Sequence, residues 1–165
     1  MNNKHYGKKE NYAPVRQNRS AIYVSYGKED VDDVYCTWYE LCYYKKQHPE
    51  LTFEQVKQDV ISDIDEHTKE NIIGGFVWNE KPVWLSLENQ SNFKAAYDLA
   101  VQTNGQSLPV KFKLGETEDG EPVYHTFETL EEITDFYTKA IAFINQCLNE
   151  GWEMKDSIDW SVYTK

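Results

Sequence analysis

The chain of 165 residues is poor in cysteine, proline and glycine, with three, five and eight of them. Cys36, Cys42 and Cys147 form a small, odd set, which argues against a disulfide framework. Cys36 and Cys42 lie in a segment that reads as strand. At the usual strand rise they are about 20 Å apart on one face, too far to pair or to share a metal. A reducing compartment, or indifference to redox, is the simplest reading. No apolar run reaches the roughly 18–20 residues of a membrane-spanning helix, so no membrane is expected among the partners. The polar start, Met1-Asn2-Asn3-Lys4-His5-Tyr6, lacks the apolar core of a signal peptide. Also missing are a glycine-rich phosphate loop, a Gly-x-Ser-x-Gly elbow and a His-Glu-x-x-His pair. Asp30–Asp33 and the loop Glu116–Glu121 are acidic, but neither has the ligand spacing of a calcium loop. The expectation is therefore of no catalytic residue, no cofactor and no metal site.

Apolar residues make up 40% of the chain and charged residues 27%, enough for a globular core. The net charge of −11 is unevenly spread. Residues 1–19 hold five basic residues (Lys4, Lys8, Lys9, Arg16, Arg19) against Glu10, a balance of +4, and the remainder stands at −15. An acidic body repels phosphate backbones, so nucleic acid is not an expected partner of the folded part. The basic segment offers little to bury and reads as a flexible arm over residues 1–19, free to touch an acidic partner or to fold back on its own acidic body.

From residue 20 onward the pattern is strand, strand, helix, three times over. Residues 20–27 and 34–45 read as a hairpin around the acidic turn Glu29–Asp33, with β-formers crowded into the second run. Thr52 with Gln55 is a capping box. Phe53, Val56, Val60, Ile61 and Ile64 recur at helical steps, and Gly74-Gly75 breaks the helix. A second hairpin pairs Phe76–Trp78 with Val83–Leu85 across Asn79-Glu80-Lys81-Pro82. Ser86 is the candidate cap of the next helix, whose stripe is Phe93, Ala96, Tyr97, Ala100 and Val101, ended by Asn104-Gly105. A third hairpin pairs Leu108–Leu114 with Val123–Phe127. Thr129 and Glu132 then open the most regular helix of the chain, expected to stop at Gly151. The fold expected is α+β, mainly antiparallel strands in hairpins with three helices on one side, in the order ββα-ββα-ββα. Residues 20–165 are expected as a single domain: an aromatic hairpin over 20–48, a core over 49–151, and a tail over 152–165 docked through Trp152, Ile158 and Trp160.

Five Trp, twelve Tyr and seven Phe are the remaining signal. Tyr35, Trp38, Tyr39, Tyr43 and Tyr44 exceed what one face of a hairpin can bury, which makes them the candidate interface, exposed or set against another subunit. His125 shares parity with Val123 and Phe127 and reads as a half-buried core histidine. Asp63, Asp65, Glu66 and His67 read as a solvated acidic helix face, and Cys147 as packing.

The stretches Thr37-Trp38-Tyr39-Glu40, Tyr44-Lys45-Lys46, Ile73-Gly74-Gly75-Phe76-Val77-Trp78, Val83-Trp84-Leu85-Ser86-Leu87-Glu88-Asn89-Gln90 with Asn92-Phe93-Lys94, and Thr129–Tyr137 followed by Gly151-Trp152 resemble a family of small phage and prophage proteins of unknown function. The family is found also in gut bacteria and is encoded near tail-fibre genes. The resemblance covers roughly Thr37 to Asp156 and carries over no catalytic residue. Its most distinctive element holds Trp84, Ser86, Gln90 and Asn92. These are expected to be structural, with Ser86 capping a helix, Gln90 or Asn92 satisfying backbone groups of a neighbouring hairpin, and Trp84 packed beneath the helix it introduces.

The resemblance implies a non-enzymatic module, virion-associated or tail-fibre-associated, that acts through protein–protein contacts. Its partners would be other virion or tail proteins, with a homo-oligomer as a further option. Its place would be the virion, or the host bacterial cytoplasm during assembly. Two alternatives stand beside it: a module that binds host-surface glycan through exposed aromatics on one concave face, and a small enzyme whose site is assembled from dispersed residues.

Overall fold

Each helix begins at a hydroxyl that accepts from the backbone three residues on. The Gln55 N–H donates to Thr52 Oγ1 at 3.2 Å, Asn89 N–H to Ser86 Oγ at 3.3 Å, and Glu132 N–H to Thr129 Oγ1 at 3.2 Å. These bonds satisfy donors that have no partner inside the helix. In the computed structural model, which describes residues 3–164, the helices are α1 (Phe53–Gly74), α2 (Leu87–Gln102) and α3 (Leu130–Asp156). The strands are β1 (Lys4–Lys8), β2 (Val15–Gln17), β3 (Ala21–Asp30), β4 (Tyr35–Tyr44), β5 (Phe76–Trp78), β6 (Lys81–Val83), β7 (Val110–Glu116) and β8 (Pro122–Phe127), with 3-10 turns at Lys9–Asn11 and Trp160–Tyr163. All strand pairs are antiparallel, so the fold is α+β as expected.

Two findings concern organisation. The expected single domain over 20–165 divides into two compact units, with the divisions falling inside α1 and α3. One unit holds the described residues up to Asp65 and those from Trp152 on; the other runs from Glu66 to Gly151. The physical reason is that the apolar side chains form two clusters, one in each unit, and each is built on its own strands. The expected flexible arm over 1–19 is also overturned for what is described of it. β1 and β2 are the two outer strands of a four-stranded sheet in the order β1-β4-β3-β2. Met1, Asn2 and Lys165 lie outside the described residues.

In the first unit, Val24, Tyr26 and Tyr43 face Val56, Val60 and Ile64 of α1, and Met154, Ile158, Trp160 and Tyr163 complete the cluster. The expectation that the last residues dock is met by Ile158 and Trp160, while Trp152 stays exposed. The basic N-terminal residues fold back onto the acids of this unit. Lys4 pairs with Glu29 at 3.4 Å, Lys9 with Asp30 at 2.7 Å and Arg16 with Glu40 at 2.8 Å. The first two pairs are exposed and contribute little singly, whereas Arg16 meets a carboxylate that is only 6% exposed. The ladder from β1 to β4, Lys4 opposite Tyr39 through Lys8 opposite Tyr35, is what orders the segment.

In the second unit, Phe76, Trp78, Val83, Leu85, Leu114 and Phe127 from the hairpins pack on Phe93 and Ala100 of α2 and on Ile133, Phe136 and Ala140 of α3. The hairpin β5–β6 turns on Asn79-Glu80, both with positive φ, so Lys81 and Pro82 belong to the strand rather than to the turn. The β7 strand starts at Val110, after a cis Leu108–Pro109 bond, and not at Leu108. Gly151 does not end α3. It is buried inside the helix, where a Cβ would run into the side chain of Thr68, so it is a close-approach glycine and not a cap.

Candidate binding surfaces

Strand parity decides which side chains of the second unit face water. Phe76, Trp78, Val83 and Leu85 point into the core, so their neighbours Val77, Pro82 and Trp84 point out. On β7 and β8 the same alternation turns Lys111, Lys113 and Tyr124 outward. Trp84 N–H donates to Leu114 O at 2.8 Å, which stitches the two hairpins edge to edge. The result is an open face across the two two-stranded sheets, with Val77 61%, Trp84 38% and Tyr124 52% exposed. Lys113 Nζ lies 5.4 Å from the centre of the Trp84 ring and Lys111 Nζ 4.6 Å from that of Tyr124. An ammonium over a ring contributes about 0.5–1 kcal/mol at an exposed site. These pairs hold both rings and lysines in place on a chain that is otherwise strongly acidic.

This geometry corrects one expectation for the motif and agrees with the others. Trp84 does not pack beneath α2; it lies on the open face, and Trp78 is the buried one. Ser86 caps α2 as expected. Gln90 Nε2 donates to Leu85 O at 2.6 Å, the backbone-satisfying role expected of it. Asn89, which the sequence reading passed over, donates to Trp84 O at 2.9 Å. Asn92 is exposed.

The aromatic hairpin of the first unit is also arranged otherwise than expected. Trp38 is only 8% exposed, stacked on His5 and edge-on to Tyr12, with Gly7 so close that a Cβ there would lie 2.9 Å from its ring. Tyr43 is buried with its hydroxyl on Asp59 at 3.0 Å, and Tyr39 stacks on Tyr26. Tyr35 stacks on Tyr6, and Tyr44 is 55% exposed. The N-terminal segment of the same chain thus covers Trp38 and stacks on Tyr35, while Tyr39 and Tyr43 pack within the unit and Tyr44 stays exposed. The hydroxyls of Tyr26 and Tyr43 meet Asp63 and Asp59 of α1. That face of α1 is therefore not simply solvated. Burial, with the neighbouring carboxylates adding to it, pushes both phenols well above their ordinary pKa.

Two polar clusters went unread in the sequence. On the other face of the first unit's sheet, the nearly buried Glu40 accepts from Arg16 Nε at 3.1 Å, from Arg16 Nη2 at 2.8 Å and from Ser25 Oγ at 3.2 Å. The carboxylate in turn raises the Arg16 pKa further. Neither residue shows this alone, because they meet only through the pairing of β2 with β3 and of β3 with β4. In the second unit, His125 sits between Lys81 Nζ and Glu132 Oε1, each at 2.8 Å, and edge-on to Trp78. A lysine donor on Nδ1 leaves Nε2 to carry the proton toward Glu132, the arrangement of a satisfied, half-buried histidine. Trp78 Nε1 donates to Asp135 at 3.0 Å, and Lys139 ahead of Trp78 holds that carboxylate below its ordinary pKa. All three cysteines are free, and burial pushes the Cys147 thiol up. Among the described residues no group of three or more His, Cys, Asp or Glu is placed to hold a metal ion, and no helix is long and apolar enough to cross a membrane.

The chain is thus an α+β protein whose second unit presents an aromatic, lysine-clad sheet face. By sequence, residues 55–164 match the family described as a domain of unknown function, DUF4376, and the chain belongs to that family. The match leaves the stretch from Thr37 to Glu54 outside it and takes in the whole second unit. No curated protein and no solved structure matches the chain.

Proposed function

We propose that this protein is a non-enzymatic module of a phage virion or tail fibre that works through protein–protein contacts, and that the open sheet face of its second unit is a contact surface. The single observation that carries the contact role is the cluster of Val77, Pro82, Trp84 and Tyr124 on one exposed face. Exposed aromatics on a rigid element are the residues from which interfaces draw most of their energy. Lys111 on the same face favours an acidic partner surface, while Lys113 is already paired with Glu116 at 2.6 Å. The phage setting rests on the resemblance of the Thr37–Asp156 region.

The test is co-purification of the protein with virions or tails, comparing the parent with Trp84→Ala and Tyr124→Ala combined. Both side chains are on the surface, so the double variant is expected to melt near the parent and to lose attachment. Retained attachment would refute the surface. A glycan-binding role is the second reading, favoured by the two exposed rings, because aromatic faces also stack on sugars. Binding of the parent to purified host-surface polysaccharide, lost in the same double variant, with no affinity for tail proteins, would replace the first reading by the second.

A further inference from the structure

The sheet of the first unit ends on β2, and this edge has a definite hydrogen-bonding phase. Ser25 N–H donates to Pro14 O at 2.8 Å and Asn18 N–H to Ala21 O at 3.0 Å, with Arg16 opposite Tyr23 between them. In an antiparallel ladder, hydrogen-bonded positions alternate with positions whose N–H and C=O point the other way. Arg16 therefore bonds inward to β3, and the backbone groups of Val15 and Gln17 point outward, away from the sheet. Beside them runs a cleft of about 170 Å³, lined by Val15, Ile22, Val24, Leu51, Phe53 and Tyr163 among others. An apolar cavity of about 150 Å³ takes a benzene-sized group. The cleft has room for one large apolar side chain.

We infer that β2 is a docking edge for an extended acidic peptide of a partner protein, with an apolar–acidic–apolar core. The added strand bonds through its backbone to Val15 and Gln17. Its residues opposite those two put their side chains on the same face as Val15 and Gln17, which is the cleft side. Its central residue lies opposite Arg16, on the face where the guanidinium stays half exposed while its partner Glu40 is buried. Arg19 and Lys45 stand at the same end of the strand; Lys45 Nζ donates to Asn18 O at 2.9 Å and to Gln17 Oε1 at 3.1 Å. The charge offered to an incoming strand is thus positive, in a chain of net charge −11.

A second copy of this chain does not fit the edge. Outward bonding at Val15 and Gln17 makes a two-fold pairing centre on Arg16, which sets the guanidiniums of the two copies directly opposite each other, and like charges so placed are destabilising. A charged residue on an edge strand is a common device against self-pairing. This site is in the first unit and stands or falls independently of the open face of the second.

The test uses the full chain and dye-labelled synthetic peptides with the core Leu-Glu-Val in a serine and threonine context, read by fluorescence anisotropy. Saturable binding is expected, weakened about tenfold when the central Glu is replaced by Lys. Gln17→Pro removes an outward N–H that the sheet does not use, so melting should hold while binding falls by about tenfold or more. If that variant fails to fold, a second measurement leaves the protein untouched. N-methylation of the peptide residues flanking the Glu should abolish binding, and N-methylation of the Glu itself should not. No saturable binding, equal binding of the Lys peptide, or indifference to the flanking methyl groups overturns the proposal. So does sedimentation showing a dimer of the parent that Gln17→Pro dissolves, because the edge would then belong to a second copy.

Discussion

Gly151 offers the sharpest test of the packing in the second unit, because its sign is decided by the tertiary structure. In an ordinary helix interior, Gly→Ala stabilises by about 0.8–1 kcal/mol. Here the new Cβ would be driven onto Thr68 Oγ1, with Thr68 Cγ2 at 3.3 Å and Cβ at 3.4 Å. Threonine is branched at Cβ and held to few rotamers on a helix, so it does not swing clear easily. Overpacking of this kind costs about 1–3 kcal/mol. The two effects together predict that Gly151→Ala destabilises by about 1 kcal/mol, against a gain of the same size for a glycine with free space. Adding Thr68→Ala removes the obstructing atoms and should recover part of the loss. A double-mutant cycle in urea, followed by circular dichroism, should then show a coupling of about 1 kcal/mol or more. Stabilisation by Gly151→Ala with Thr68 intact would mean that α1 and α3 do not approach closely at this level.

Ser86→Ala should lower stability by about 0.5–2 kcal/mol through loss of the α2 cap, with partner binding falling only as the folded fraction falls. An unchanged melting temperature with lost binding would make Ser86 a contact residue instead. Alkaline titration should release Tyr26, Tyr43 and Tyr163 late, because burial raises all three above the ordinary 10.0. A raised folded-state pKa favours the protonated form. Its contribution is therefore fully present below pH 10 and is lost as the pH climbs past it, so urea midpoints should drop above about pH 10. Tyrosinate absorbance that rises along an unshifted curve while the midpoint stays flat would count against the buried hydroxyl pairs.

The three helices were legible in the sequence because their signals are local. Thr52, Ser86 and Thr129 each stand before a periodic apolar stripe, and a hydroxyl can bond the backbone three residues on whatever else the chain does. The hairpin strands from Ala21 on were legible for a similar reason: alternation and turn residues lie close together in sequence. What only the tertiary structure decided depends on partners far along the chain. Lys4–Lys8 has no strand signal of its own and becomes one by pairing with β4, which also covers Trp38. Trp84 and its neighbours Val83 and Leu85 take opposite faces, and which face the helices cover is settled only when α2 and α3 pack. Gly151 reads as a helix end in isolation, and its true role appears only where Thr68 lies against it. Glu40 and Arg16 are ordinary surface residues by type. Strand register brings them together, and register is a property of pairing between segments, not of any one segment.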